Sequence, residues 1–425
     1  MPLWLIPMFY TMASIVAGLI LPRLEQTYLS GYTHGMSVGA ALAFFSAVST
    51  GMMALTGIVF TVAFVVVQFS AVAYSPRLAV EFANKPTLFH TLGIFVATFV
   101  YSLVALIWTD RSGSGTVPLF SSLLVGVLVV VSMFGFAKLI QSVSDLQIQN
   151  VLQTVGARGR SVIRAMFPRI ADAASVGRED PPALSAPTQI LAYSGEPWVI
   201  ASFDFTALAR LAQSADAVVA IELGVGDTLI ENAVLLRVHG AGQPLPEQAL
   251  WRAVRLAASR TFEQDPKYAI RLLVDIAIRA LSPAVNDPTT AVQALDQIED
   301  LLRRLGRRQL DAGCVRDPTG AIRVTFPVPT WQDYLALSFD EIRQFGATSL
   351  QVDRRLRAAL VGLAETIAVE ERRAAVREYL DHLDQGIGRS DFDERDRAAA
   401  SQEDRQGLGL SRLRPAVKNS PLLGG

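Results

Sequence analysis

The chain has 425 residues, 51% of them hydrophobic and 18% charged, with a net charge of −1 and a mean hydropathy of +0.34. Only 8 charged residues fall in positions 1–140, against 69 in the remaining 285, so one part has a lipid-solvated composition and the other a water-solvated one. This excludes an ordinary soluble enzyme and a disordered chain, the near-zero charge gives no electrostatic case for nucleic acid, and the single cysteine, Cys314, excludes an internal disulfide framework.

Residues 1–22, 35–76, 86–109 and 112–137 contain no Asp, Glu, Lys or Arg. A helix crossing a bilayer needs about 20 apolar residues. The first stretch predicts a span over about Leu3–Leu21, without the basic start and cleavage site of a secretory signal. In the second, Gly51–Tyr74 is a full span, and Met36–Thr50 before it is rich in Gly, Ala and Ser. Two crossings there would need a tight turn at Thr50–Gly51 with no polar group to satisfy the freed backbone. Four spans are therefore favoured, with five as the alternative. Span two carries Thr56, Thr61, Gln68 and Ser70 among apolar neighbours, either as a pathway lining or as a close helix–helix seam with the small residues around them.

Ser75-Pro76-Arg77 starts a short surface helix, Pro76–Asn84, and is a candidate interface or gate element. Arg77 and Lys85 fall on the same side as Lys138, Arg158, Arg160 and Arg164, so the positive-inside rule puts both ends of the membrane half in the cytoplasm. The domain plan is a transmembrane domain 1–140, a helical connector and linker 141–187, a small β-rich module 188–245, a mainly helical domain 246–384 and a disordered tail 385–425.

Within the connector, Gly156 and Gly159 weaken a helical pattern. The β-rich module reads as a strand-turn-strand, Gln189–Tyr193 and Trp198–Phe203, a short helix capped by Asp204, and two strands, Val218–Leu223 and Leu229–Val238, around Gly224-Val225-Gly226-Asp227. A turn explains both glycines, and the third glycine of a phosphate-binding fingerprint is absent. In the helical domain, Lys267–Leu281 places Arg271, Asp275 and Arg279 on one stripe. The loop Ser282–Thr290 ends in Asp287 as N-cap and Pro288 as first helical residue of a helix to Leu305. Arg271, Asp275, Arg279, Asn286, Asp287, Thr289 and Thr290 form either a self-capped structural loop or a site for a small anion. Ile322–Val328 adds a strand, and Trp331–Phe345 and Leu350–Leu380 add helices. Beyond Gln385 the apolar-poor composition predicts disorder.

No Walker-type glycine-lysine pair, nucleophile elbow or zincin motif is present, and the four histidines are widely separated. The expectation is a protein without enzyme activity, cofactor or metal. The fold class is an α-helical integral membrane protein with an α+β cytoplasmic domain. Met52–Leu78, ending in Ser75-Pro76-Arg77, and Tyr268–Asp296, containing Asn286-Asp287-Pro288, resemble the hallmark segments of a bacterial family of predicted membrane proteins, domain of unknown function 2254. That resemblance implies a protein of the bacterial inner membrane and no established activity. Two functions compete. One is a homo-oligomeric channel- or transport-like assembly in the lipid bilayer, with a cytoplasmic vestibule or gate. The other is a membrane-anchored regulatory protein whose cytoplasmic domain binds an unidentified partner or small ligand.

Overall fold

The computed structural model describes residues 3–28, 37–73, 86–111, 117, 119–144, 147–170, 184–310 and 313–409, with backbone only at 63, 65–73 and 142–144. The chain divides into two units, Met1–Asn150 and Val151–Gly425.

The first unit holds α1 (Leu5–Tyr28), α2 (Val38–Ala73), α3 (Pro86–Arg111) and α4 (Leu119–Ser144). Among the described residues four helices are long and apolar enough to cross a membrane, over Leu5–Tyr28, Val38–Val62, Pro86–Arg111 and Leu119–Gln141. Helix α3 is central: 44% of its membrane-length window is covered, against 17–22% in the others. Ser14 on α1 donates to the Ala97 carbonyl of α3 (2.6 Å), and Tyr10 approaches His90, so α1 and α3 run parallel. Phe45 packs with Tyr101 and Ala105, and Met52 and Val59 pack with Phe95, which makes α2 antiparallel to α3. Tyr101 and Thr98 reach Ser121 and Ser132, so α4 is antiparallel as well. The directions alternate, as four successive crossings require.

Helix α2 is unbroken through Thr50–Gly51 and is 36 residues long, about 54 Å at 1.5 Å per residue. Residues 36–50 are thus no fifth span. The expected span Gly51–Tyr74 lies on this helix as far as Ala73, and its side chains at 63 and 65–73 lie outside the described residues. Ala41 and Phe45, in the segment before it, are fully buried against α3 and α4. The proposed surface helix Pro76–Asn84 lies outside the described residues.

Helix α5 (Ile148–Met166) lies in the second unit from Val151 on. Its glycines are contact points, not weak ones: a Cβ on Gly159 would lie 2.9 Å from the Ala269 Cβ, and one on Gly156 would strike Gln297. After β1 (Pro187–Ala192) and β2 (Trp198–Phe203), α6 (Phe205–Ser214) starts at Asp204, whose Oδ1 accepts from the Ala207 N–H at 2.9 Å. Strands β3 (Val218–Ile221), β4 (Thr228–Leu229) and β5 (Val234–His239), α7 (Glu247–Arg252) and β6 (Val254–Ala257) follow. Then come α8 (Pro266–Ala280), α9 (Pro288–Leu305), β7 (Cys314–Arg316) and β8 (Ile322–Thr325), and α10 (Trp331–Gly346), α11 (Leu350–Thr366), α12 (Glu370–Arg389) and α13 (Glu394–Ala400).

The strands form two sheets, ordered β1-β5-β3-β8-β7 and β4-β2-β6. The expected strand-turn-strand is therefore not a hairpin: β1 pairs with β5, while β2 pairs with β4 and β6. Leu229–Val238 splits for the same reason, its two ends serving different sheets. Strand β8, from between two helices, pairs parallel with β3 and completes the larger sheet. Leu208, Ile200, Val219, Leu235 and Leu250 fill the core between them.

The expected helix Leu350–Leu380 breaks at 367–369, where buried Ile367 takes an extended conformation. The expected disordered tail is also corrected, since residues 385–409 are ordered. Helix α12 continues to Arg389 and α13 follows, and the next residues are held by polar contacts that hydropathy does not register. Asp404, 1% exposed, accepts from the backbone N–H groups of Gln406, Gly407 and Gly409. Arg354 donates to the Gly409 carbonyl at 2.9 Å.

Candidate functional site

On α2 the packed phase is Ala41, Phe45, Met52 and Val59. Thr56 borders it, half-buried, its hydroxyl donating to the Met52 carbonyl at 2.7 Å. Thr61 is exposed and donates to the Gly57 carbonyl at 3.0 Å. Five residues at 3.6 per turn separate the two by about 140° around the helix, so Thr56 and Thr61 do not share a stripe. Gln68 and Ser70 lie on α2, but their side chains, like all of Ser75, Pro76 and Arg77, lie outside the described residues.

Opposite the packed phase runs a different line: Gly39, Ala43, Ala47, Thr50, Ala54, Gly57 and Thr61, all exposed. The steps of three and four keep them on one face over 22 residues, about 33 Å. A Cβ added at Gly39 or Gly57 would meet nothing within 4 Å.

The buried polar groups of this unit gather mostly on α3 and the α4 face against it. Thr98 and Ser132 hydroxyls meet at 3.0 Å, Tyr101 donates to Ser121 at 3.2 Å, and Ser102 and Thr109 donate to carbonyls one turn back. The signal was present as Thr91, Thr98, Ser102 and Thr109 at helical spacing within an uncharged stretch.

In the second unit, the loop between α8 and α9 satisfies itself. Asp287 accepts from the Thr290 N–H (3.1 Å) and hydroxyl (2.6 Å), and its own N–H donates to the Ala280 carbonyl. Asn286 before it has φ +49°, a conformation Asn tolerates better than most residues. Arg271 donates to Asp275 (2.6 Å) and forms a two-pronged pair with Glu341 on α10 (2.8 and 2.7 Å). Those carboxylates, Glu341 foremost, raise the Arg271 pKa, and they occupy the donors an anion would need. Arg279 is half-buried and Thr289 is exposed. The structure thus brings Arg271 to Asp275 and Asp287 to Thr290, but not the two groups to one anion.

The arrangement missed by sequence lies at the other end of α8. A cleft of about 450 Å³, counted out to its open mouth, is lined by Phe203, Phe205, Val225, Asp265, Phe326 and Tyr334, with Lys267 at its side. Gln264, at φ +50°, bridges to β2: its Oε1 accepts from the Phe203 N–H and its Nε2 donates to the Phe203 carbonyl. This fixes Asp265 against the glycine turn. Asp265 is 1% exposed, and among the described residues neither carboxylate oxygen has a hydrogen bond of normal geometry. Burial pushes its pKa up, against the fields of Lys267 and Arg260 and the nearby backbone N–H groups of Tyr268 and Lys267 at the start of α8. Those cations are tied elsewhere, Lys267 to the Val225 carbonyl (3.2 Å) and Arg260 to that of Gly226 (3.0 Å). The Tyr334 hydroxyl is equally buried and unpartnered. Burial, then the negative charges of Asp265 and Asp333, raise its pKa. Gly226, at φ +89°, leaves room for this: a Cβ there would be 2.5 Å from an Asp265 oxygen. Among the described residues no cluster of three or more His, Cys, Asp or Glu side chains is placed to hold a metal.

Uncharacterized proteins of Mycobacterium tuberculosis (Rv1290c) and Mycobacterium bovis (Mb1321c) are each 27% identical over 412 residues, covering 93% of this chain and 78% of theirs. No solved structure gives a significant match. The family described as predicted membrane protein, domain of unknown function 2254, matches residues 1–361, and with four helices of spanning length within that match the chain belongs to this family.

Proposed function

We propose that copies of this protein associate in the bacterial inner membrane through the exposed small-residue face of α2, forming a channel- or transport-like assembly without enzymatic activity. The observation that carries this reading is the line from Gly39 to Thr61, uncovered along a membrane's thickness. In lipid, small residues let helix backbones approach closely, and packing replaces the hydrophobic drive available in water. Gln68 follows Thr61 by seven residues, two turns along the same face. A polar amide there avoids lipid only by facing protein or a wet lumen. Alternating helix directions and the basic residues Arg77, Lys85 and Lys138 support a cytoplasmic second unit, acting as vestibule or gate.

The test uses a Cys314→Ser background. Single cysteines at Thr61 and Gln68 should react with a charged, membrane-impermeant thiol reagent, Gly57→Leu should separate the copies, and Gln68→Leu should alter ion or solute flux. A monomeric mass in detergent and in nanodiscs would sink the assembly. Unreactive cysteines in an intact oligomer would reduce the face to a packing seam and remove the pathway.

A further inference from the structure

Independently of any pathway, the cleft beside α8 has the chemistry of a binding site. Its two unpartnered polar groups are of opposite type. An ionised carboxylate only accepts hydrogen bonds, and a phenol at neutral pH has a proton to donate. Both Asp265 oxygens and the Tyr334 hydroxyl are buried on the cleft wall and, among the described residues, have no hydrogen bond of normal geometry. Leaving such groups unsatisfied is expensive in a folded interior, and native proteins keep them so mainly where something else completes them.

The rest of the lining narrows what that is. The apolar floor is aromatic, with the Phe205 and Phe326 rings 4.5 Å apart between centroids. Such surfaces suit a flat ring. Lys267 and Arg260 already place positive charge around the single carboxylate, which disfavours a cationic guest. Neither cation is spent on the carboxylate, because the carbonyls of Val225 and Gly226 hold them. Gly226 keeps the Asp265 oxygens clear of a Cβ that any other residue would bring.

We propose that this cleft binds a small neutral planar ring with an amide- or ureide-type edge, as in a nucleobase. Its N–H donates to Asp265, its carbonyl accepts from Tyr334, and its face rests against the Phe205–Phe326 pair. The site belongs to the second unit alone and needs no second copy of the chain.

The test is equilibrium binding to the full chain in detergent, using uracil, xanthine, uridine and guanosine as probes, 1,3-dimethyluracil as a ring without N–H donors, and guanidinium as a cationic donor. At least one neutral probe should bind saturably, and 1,3-dimethyluracil should not. Asp265→Asn and Tyr334→Phe should each weaken binding at least tenfold while the protein keeps its thermal midpoint or raises it. Tyr334→Phe removes one oxygen only, so it remains informative if Asp265→Asn misfolds. Binding that ignores both substitutions, preference for guanidinium, or no binding by any neutral ring would each overturn the proposal. In the last case the carboxylate is completed by water or a proton.

Discussion

Helices α8 and α9 both begin at an Asp-Pro step, yet Asp287 commits both carboxylate oxygens to Thr290 whereas among the described residues Asp265 makes no capping hydrogen bond of normal geometry. Their backbones barely differ: φ/ψ is −130°/87° at Asp265 and −117°/80° at Asp287. The residue before each has positive φ, +50° at Gln264 and +49° at Asn286. The divergence begins three residues on, where Thr290 supplies a hydroxyl beside its N–H and Tyr268 supplies an aromatic ring packed on Phe262. The lesson is that a helix-start signature fixes the backbone, while the side chain's task depends on what the third residue and the rest of the fold bring to it.

Substitutions can break that contrast. The largest effect should come from removing a buried charge. Arg355, 5% exposed on α11, is held by Asp296 and Glu299 of α9. Arg355→Ala should lower the unfolding free energy of this unit by about 2 kcal/mol, since it removes a buried charge-assisted contact while Glu299 keeps Arg303 and Asp296 keeps water. Denaturant titration of the full chain in detergent measures it, and a loss below about 1 kcal/mol would deny the pairing its weight.

Asp353, also on α11, tests a carboxylate held mainly by burial, which raises its pKa to about 7 against the field of Arg357. Its folded value exceeds its unfolded one, so the stabilisation belongs to the protonated form and is lost as pH rises through 7. Between pH 6 and pH 8 this group alone removes about 1.4 kcal/mol, and Asp353→Asn should abolish that part of the pH profile.

Asp287→Ala should cost about 1 kcal/mol, the usual loss for an N-cap, while Asp287→Asn should keep most of it. Asp265→Asn should do the reverse in the absence of ligand and raise stability at pH 8 by up to about 1 kcal/mol, because no hydrogen bond is lost. Its pKa is raised as well, so the gain should shrink as pH falls. Equal losses at the two aspartates would end the contrast between them.

The same pair shows what was legible in the sequence. Pro288–Leu305 was readable to the residue because cap, proline and apolar spacing all agree. The membrane helices were readable as uncharged stretches, while the packing of Ala41 and Phe45 ahead of Gly51 was not, because small residues look weak until a close neighbour gives them contact. Asp265 drew no notice in the sequence, where the helix was begun at Lys267: its burial comes from β2, the glycine turn and α10, which sit about 40–70 positions away in the chain. The order of residues 385–409 was hidden for a related reason, since Asp404 and Arg354 hold it through hydrogen bonds that composition cannot weigh.

Strand β8 carries a consequence for how the second unit is made. Its partner residues in β3, Val219 opposite Val324, lie on either side of α8 and α9. During synthesis the larger sheet therefore stays incomplete, with β3 as an unpaired edge, until the ribosome has passed residue 325. Parallel pairing at such separation is slow to form, and an open edge invites pairing with the wrong chain. Truncation between α9 and β7 should accordingly give aggregates and not a smaller folded domain, so the helices and the sheets must be inherited, expressed and unfolded together.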